Sequence, residues 1–138
     1  MIRIKYPVLT LVLLWCMLYK DTMGIIRISL LCSLLHELGH ILVWIAIKHN
    51  LPELMISPTG IGLQISSAGL TCKQEFALAL SGPLMNFFLA AITWAVMQKQ
   101  PSYYGYFFMG ANVLVGAFNL LPLSSLDGKR LLNNLFHR

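Results

Sequence analysis

The chain has 138 residues, enough for one domain, of which 57% are apolar and only 11% charged. A soluble domain carries about 25% charged residues, so this composition, with a mean hydropathy of +0.71, excludes an ordinary water-soluble globule. It points to an integral protein of the cell membrane. The net charge of +5 rests on ten Lys and Arg spread along the chain, which argues against a nucleic-acid surface and fits the loop charges that orient membrane spans.

A basic start and a short apolar run resemble a signal peptide. Lys20 and Asp21 follow, however, where a small-residue cleavage site is needed. The expectation is an uncleaved first helix over 6–19. Further spans are expected over 24–47, 76–97 and 103–121, judged against the roughly 20 apolar residues a crossing helix needs. Tyr6, Tyr19, Trp94, Tyr103, Tyr104 and Tyr106 fall at segment ends, as interfacial aromatics do. Four spans place both termini on one side. That side gathers Arg3, Lys5, Lys48, Lys73, Lys129, Arg130 and Arg138, against Lys20, Arg27 and Lys99 opposite, so cytoplasmic termini are expected.

Residues 51–71 do not read as a span, because Pro52, Pro58, Gly60 and Gly62 break helix. Ile61, Leu63 and Ile65 alternate with Gly62, Gln64 and Ser66, which is the period of a strand. A strand without partners cannot face lipid, so this piece must pair, lie at the interface or line a cavity. The expected fold class is an all-α polytopic membrane protein forming a single domain over 1–138. It has about four transmembrane helices and a short strand-like, membrane-associated segment between the second and third. Cys16, Cys32 and Cys72 show no paired spacing and give no disulfide framework.

The second span carries the chemistry. His36-Glu37-Leu38-Gly39-His40 fits H-E-x-x-H. On a helix, positions i and i+4 share a face, so both imidazoles can hold one Zn²⁺. Glu37 lies about 100° round from His36 and can act as general base, taking a proton from a water that attacks a carbonyl. The competing reading is a chance match between packing histidines. It weakens inside a span, where each ionisable group costs roughly 2.5 kcal/mol or more. Glu37 precedes Lys48 by eleven residues, or about 16 Å of helix, near the middle of a roughly 30 Å hydrocarbon core. A metal there requires a hydrated cavity enclosed by helices. Gly39 lets another backbone or a substrate come close.

Two histidines and a water leave one tetrahedral position to fill. Cys32 lies at i−4 from His36 and is the right ligand type, although a free Cys more often simply packs. Glu53 and Glu75 fall near the expected interface and read as solvated. Asp127 follows the fourth span in NLLPLSSLDGKR, where Asn119 and Pro122 loosen the helix and Asp127-Gly128 suggests a turn. A chain folding back there brings Asp127 within reach. The third span contributes Ser81-Gly82-Pro83-Leu84-Met85-Asn86. Its small residues favour close helix packing, and Pro83 frees a backbone carbonyl. Asn86 reads either as a donor to a substrate carbonyl or oxyanion, or as interhelical glue. Asn112 and Asn119, seven apart, share a face and are candidates for the same cavity.

HELGH, SGPLMN and NLLPLSSLDGKR, in that order on apolar spans, resemble the site-2 protease family of intramembrane zinc metalloproteases, peptidase family M50. Within it the likeness is to the branch of the stage IV sporulation protein FB. The resemblance implies one Zn²⁺ per chain held by His36, His40 and Asp127, with Glu37 as base. It also implies that Asn86 faces the active site and that Ile61, Leu63 and Ile65 hold an extended substrate by strand addition. Lys129 departs from the pattern, since many relatives carry a second Gly there. No PDZ-like insertion occurs, and the 138 residues contain neither the later spans nor a nucleotide-sensing domain.

The expected function is an intramembrane zinc endopeptidase that cuts membrane-associated or transmembrane protein substrates, with the lipid bilayer as its medium and no nucleic-acid partner. An oligomeric or regulatory partner is compatible with the sequence. The alternative is a non-catalytic membrane zinc-binding or interaction protein; an intact Glu37 argues against it, because a structural zinc needs no base. A transporter is disfavoured, since the spans show no inverted repeat.

Overall fold

The computed structural model describes residues 2–4, 6–57, 60–64, 69–123 and 126–136, with backbone alone at 2–4, 53–57 and 60–64. In chain order the elements are β1 (Ile2–Ile4), α1 (Pro7–Tyr19), α2 (Ile25–Lys48), β2 (Glu53–Ser57), β3 (Gly60–Gln64), α3 (Cys72–Met97), α4 (Tyr103–Asn119) and α5 (Asp127–Phe136).

Local chemistry sets the helix limits. α2 starts after Gly24, whose φ of 73° is a left-handed conformation that suits glycine. Its first turn is capped from outside by Asp21, whose carboxylate accepts from the backbone N–H of Ile26 at 3.2 Å and of Arg27 at 3.0 Å. A negative group also suits the positive end of the helix dipole. Burial works to raise the Asp21 pKa, but the Arg27 and Ile26 amides and the Arg27 charge outweigh it and hold the carboxyl below its usual range. A carboxyl depressed in the folded state stabilises above its unfolded pKa of about 3.9 and loses that contribution as pH falls through the folded value. Asp21→Ala is therefore expected to melt below wild type at pH 7, with the gap in thermal denaturation closing as pH drops below about 4.

α3 begins at Cys72, four residues before the expected 76. Thr71 and Gln74 form a capping box, the Gln74 amide donating to Thr71 Oγ1 at 3.3 Å and the Thr71 amide to Gln74 Oε1 at 3.0 Å. An apolar-run criterion could not see this polar first turn. α3 then runs unbroken through Pro83. α4 is capped by Ser102, which accepts from Gly105 N–H at 3.1 Å.

α2 and α3, with 24 and 26 residues, are long and apolar enough to cross a bilayer. α1 and α4, with 13 and 17 residues, are about 20 and 26 Å long, shorter than a roughly 30 Å hydrocarbon core. α3 packs between α2 and α4 and also against α5, whereas α1 buries no side chain and touches α2 only lightly. The packing runs opposite to a soluble core. Apart from Leu78 and Met97, the buried positions outside the two histidines are mostly small or polar, among them Cys32, Ala79, Ser81, Gly82, Pro83, Asn86, Ala90, Ala111 and Asn112, while Leu34, Leu38, Leu42, Phe88, Ile92, Leu114 and Phe118 point outward. Small and polar residues inside with large apolar ones outside is the pattern of helices packed in lipid, and so broad an apolar surface is foreign to soluble monomers.

The strand-like segment expected between the second and third helices is paired within the chain: β1, β2 and β3 form a three-stranded sheet in that order. β2 and β3 are antiparallel, with Leu54 opposite Leu63 and Ile56 opposite Ile61, and β1 joins β2 in parallel, with Ile2 opposite Leu54. Ile61 and Leu63 thus lie on a strand whose partner is β2; Ile65 lies outside the described residues. Asp127-Gly128, expected as a turn, is instead the first turn of α5.

Candidate metal centre

His36 and His40 are one turn apart on α2 and both are buried. Gly39 lies between them at the α2–α3 crossing, where a Cβ would come within 2.7 Å of the Ser81 carbonyl oxygen. The close backbone that Gly39 admits is therefore α3 itself, and this crossing brings Leu78, Ser81, Gly82 and Asn86 onto the two imidazoles.

Each imidazole is fixed through Nδ1. His40 Nδ1 is 2.8 Å from the Leu78 carbonyl oxygen, which can only accept, so Nδ1 carries the proton and donates it. The Ser81 hydroxyl is 3.2 Å from the same nitrogen and gives its own hydrogen to the Leu78 carbonyl at 2.7 Å. His36 Nδ1 is 2.6 Å from Asn86 Oδ1. With both Nδ1 atoms donating, each imidazole in its neutral form presents a bare Nε2 lone pair, the arrangement that orients metal-ligating histidines.

Those lone pairs meet at one point. The two Nε2 atoms are 3.2 Å apart, and each lies 3.1 Å from Asp127 Oδ2. Asp127 arrives from the other end of the sequence. α4 ends at Asn119, the chain turns back, and α5 begins against the end of α4, where Gly128 is packed so tightly that a Cβ would collide with the Leu120 and Leu121 carbonyl oxygens.

Among the described residues, His36, His40 and Asp127 form a group able to hold a metal ion. The donor set fits zinc. Three lone-pair atoms this close repel one another unless a proton or a metal ion lies between them. Tetrahedral zinc with bonds of about 2.0–2.1 Å separates its ligands by about 3.3–3.5 Å, within a few tenths of the distances here. α3 approaches the group most closely at Gly82, where a Cβ would lie 2.6 Å from His36 Nε2 and overlap His40 Nε2. Glu37, on the adjoining face of α2, is partly buried, within electrostatic reach of His40, His36, Asp127 and Arg130, and has no hydrogen-bond partner among the described residues.

The other candidates take different places. Cys32 is fully buried and its Sγ accepts from Asn112 Nδ2 at 3.2 Å, outside the group of converging ligand atoms. Of the two readings of Asn86, the structure shows the interhelical contact. Asn86 is 0% exposed, and its amide hydrogens go to the Cys32 carbonyl at 3.2 Å and Asn112 Oδ1 at 2.8 Å. Asn119 donates to the Val115 carbonyl of its own helix at 2.9 Å, and it is half-buried where Asn112 is fully enclosed. Glu75 lies in the first turn of α3, where its charge suits the helix dipole. Two contributions had no usable signal in the sequence. The Leu78 carbonyl is backbone, which no residue type reveals, and the clearance at Gly82 exists only once α3 lies on α2.

No family model matches the chain. Over 112 residues it is 30% identical to the stage IV sporulation protein FB of Bacillus subtilis (strain 168), an alignment covering 79% of this chain and 39% of that protein. In fold it is similar to the site-2 protease from Methanocaldococcus jannaschii, with a TM-score of 0.70 and 22% identity over 97% of this chain and 66% of that one. The chain thus spans less than two-thirds of the length of either.

Proposed function

The chain belongs to a site-2-protease-like family, and on that premise we propose that it is an intramembrane zinc endopeptidase acting on membrane-associated or transmembrane protein substrates. The observation that carries this reading is the convergence of His36 Nε2 and His40 Nε2, on the apolar helix α2, with Asp127 Oδ2, at the start of α5, within 3.2 Å of one another. His36, His40 and Asp127 would hold one zinc. When bound, zinc supplies Lewis acidity, polarising the scissile carbonyl and acidifying a water.

The protein's own groups do the rest. Leu78, Ser81 and Asn86 hold the imidazoles so that their Nε2 atoms face the metal. Gly82 presents no side chain to the two Nε2 atoms, where a Cβ would intrude on the metal's place. Glu37 takes the proton of the attacking water and returns it to the departing amine, work that suits a carboxylate with no hydrogen-bond partner among the described residues. The backbone of β3, an outer strand of the sheet among the described residues, would offer its edge to an extended substrate, holding the peptide with its carbonyls exposed. A helical substrate must unwind first, because its carbonyls are otherwise bonded internally. In this reading α1, α2, α3 and α4 all span the membrane, the shorter two with local thinning of the bilayer, and both termini are cytoplasmic.

The test is reconstitution of the purified chain in lipid vesicles with a panel of single-span substrates. Fragments that appear with wild type, vanish on chelation and return with zinc are expected; intact substrates throughout the panel with zinc-loaded protein would count against the reading. Ligand identity is tested separately. Asp127→Ala is expected to lose at least about 100-fold in zinc affinity, as removal of one of three protein ligands should, while Cys32→Ala keeps its zinc. The opposite pair of results in a chelator competition assay would assign the third ligand to Cys32.

A further inference from the structure

The hydrogen-bond chain that ends on His36 does not stop at Asn86. Asn112 of α4 is 0% exposed. Its Nδ2 donates to the Phe108 carbonyl at 2.9 Å and to Cys32 Sγ at 3.2 Å, and its Oδ1 accepts from Asn86 Nδ2 at 2.8 Å. Asn86 Nδ2 also donates to the Cys32 carbonyl at 3.2 Å.

The direction of this chain is forced. Backbone carbonyls only accept, so the Phe108 carbonyl fixes which end of the Asn112 amide carries the hydrogens. Asn112 Oδ1 is thereby turned towards Asn86 and demands a donor from it. The Cys32 carbonyl pulls the same way through a longer contact, 3.2 Å against 2.8 Å, so Asn112 supplies the larger part of the bias on Asn86. Asn86 must then present Oδ1 to His36, and His36 must carry its proton on Nδ1. A flip of either amide would set oxygen against oxygen in a site closed to water, and a buried polar network of this kind has no neutral alternative.

We propose that Asn112 is a positioning residue, acting through Asn86 to lock His36 in the Nδ1–H tautomer that points a bare Nε2 at the metal. This rests on the zinc reading for its consequence but not for its geometry. The chain also ties α2, α3 and α4 together at one point, so the tautomer of a ligand on α2 is set by a carbonyl on α4.

The experiment uses the full chain in lipid, labelled with ¹⁵N-histidine and free of metal, with the His36 signal assigned by its absence in His36→Gln. In wild type, His36 should be a single Nδ1–H tautomer. Asn112→Leu should give a mixture and lower zinc affinity about 10-fold, at the lower end of the usual effect of groups that orient metal ligands. Asn112→Asp, which as a neutral acid keeps an acceptor for Asn86 and a donor for Phe108, should restore both. Should Asn112→Leu fail to fold, Asn112→Ser, with a hydroxyl too short to reach Asn86, is expected to give the same mixture. A residue that only fills space would lower the melting temperature and leave the tautomer alone, and an unchanged Nδ1–H signal in these variants would overturn the proposal. Wild type that binds no zinc yet shows the Asn112-dependent tautomer would sink the metal reading and support the relay. Wild type that binds zinc with a tautomer indifferent to Asn112 would do the reverse.

Discussion

Glu37→Gln is expected to keep its zinc and to lose proteolysis by at least about 10²–10⁴-fold, the usual range for a positioned general base. The substitution preserves side-chain length and volume. The two imidazoles and Asp127 are not hydrogen-bonded to Glu37 among the described residues, so their arrangement should survive. What disappears is the basic oxygen. A neutral amide cannot take a proton from water at any accessible pH, so a shift in optimum should not rescue the variant. Metal content and fragment yield measured on the same vesicles separate the two effects. Zinc lost together with activity would assign Glu37 to the metal; activity retained would remove it from the mechanism.

Gly82→Ala is expected to abolish cleavage and to weaken zinc binding by about two orders of magnitude, the upper end of what disturbing metal-ligand orientation costs. The added methyl has no room: it would lie 2.6 Å from His36 Nε2 and overlap His40 Nε2. Neither ring can easily yield, since each is anchored through Nδ1 to Asn86 or to the Leu78 carbonyl. Alanine is the better helix former by about 1 kcal/mol, so the helix itself should tolerate the change and the damage should fall on the site. Gly110→Ala is the control. A Cβ there meets nothing within 4 Å, and its activity and zinc affinity should match wild type. Zinc binding and cleavage intact in Gly82→Ala would show that the reacting groups do not occupy the space above the two histidines.

Much of this was legible in the chain because its chemistry is local. An i, i+4 pair of histidines shares a face on any helix, and its cost inside an apolar run marks it as purposeful before any fold is known. The strand period of Ile61 and Leu63 was visible for the same reason. Relations between distant segments were harder. Cys32 and Asp127 were both chemically sound third ligands from spacing, and only the turn after α4 separates them. Asn86 read either as a substrate donor or as interhelical glue, because residue type says nothing about whether its hydrogens are already spent. β1 escaped notice because its three residues pair in parallel with a strand some fifty positions later. α5 escaped because a DG pair reads as a turn, and Gly128 is needed instead for its tight approach to the end of α4.

The most direct test of the central claim is zinc X-ray absorption on the wild-type chain purified in lipid, with metal content determined on the same sample. The account predicts one zinc per chain in a shell of imidazole nitrogen and carboxylate or water oxygen, with no sulfur at about 2.3 Å, the distance a cysteine ligand would give. In Asp127→Ala that shell should lose an oxygen and most of the metal with it. A sulfur shell would place Cys32 in the site, and a chain that takes up no zinc at all would contradict the account.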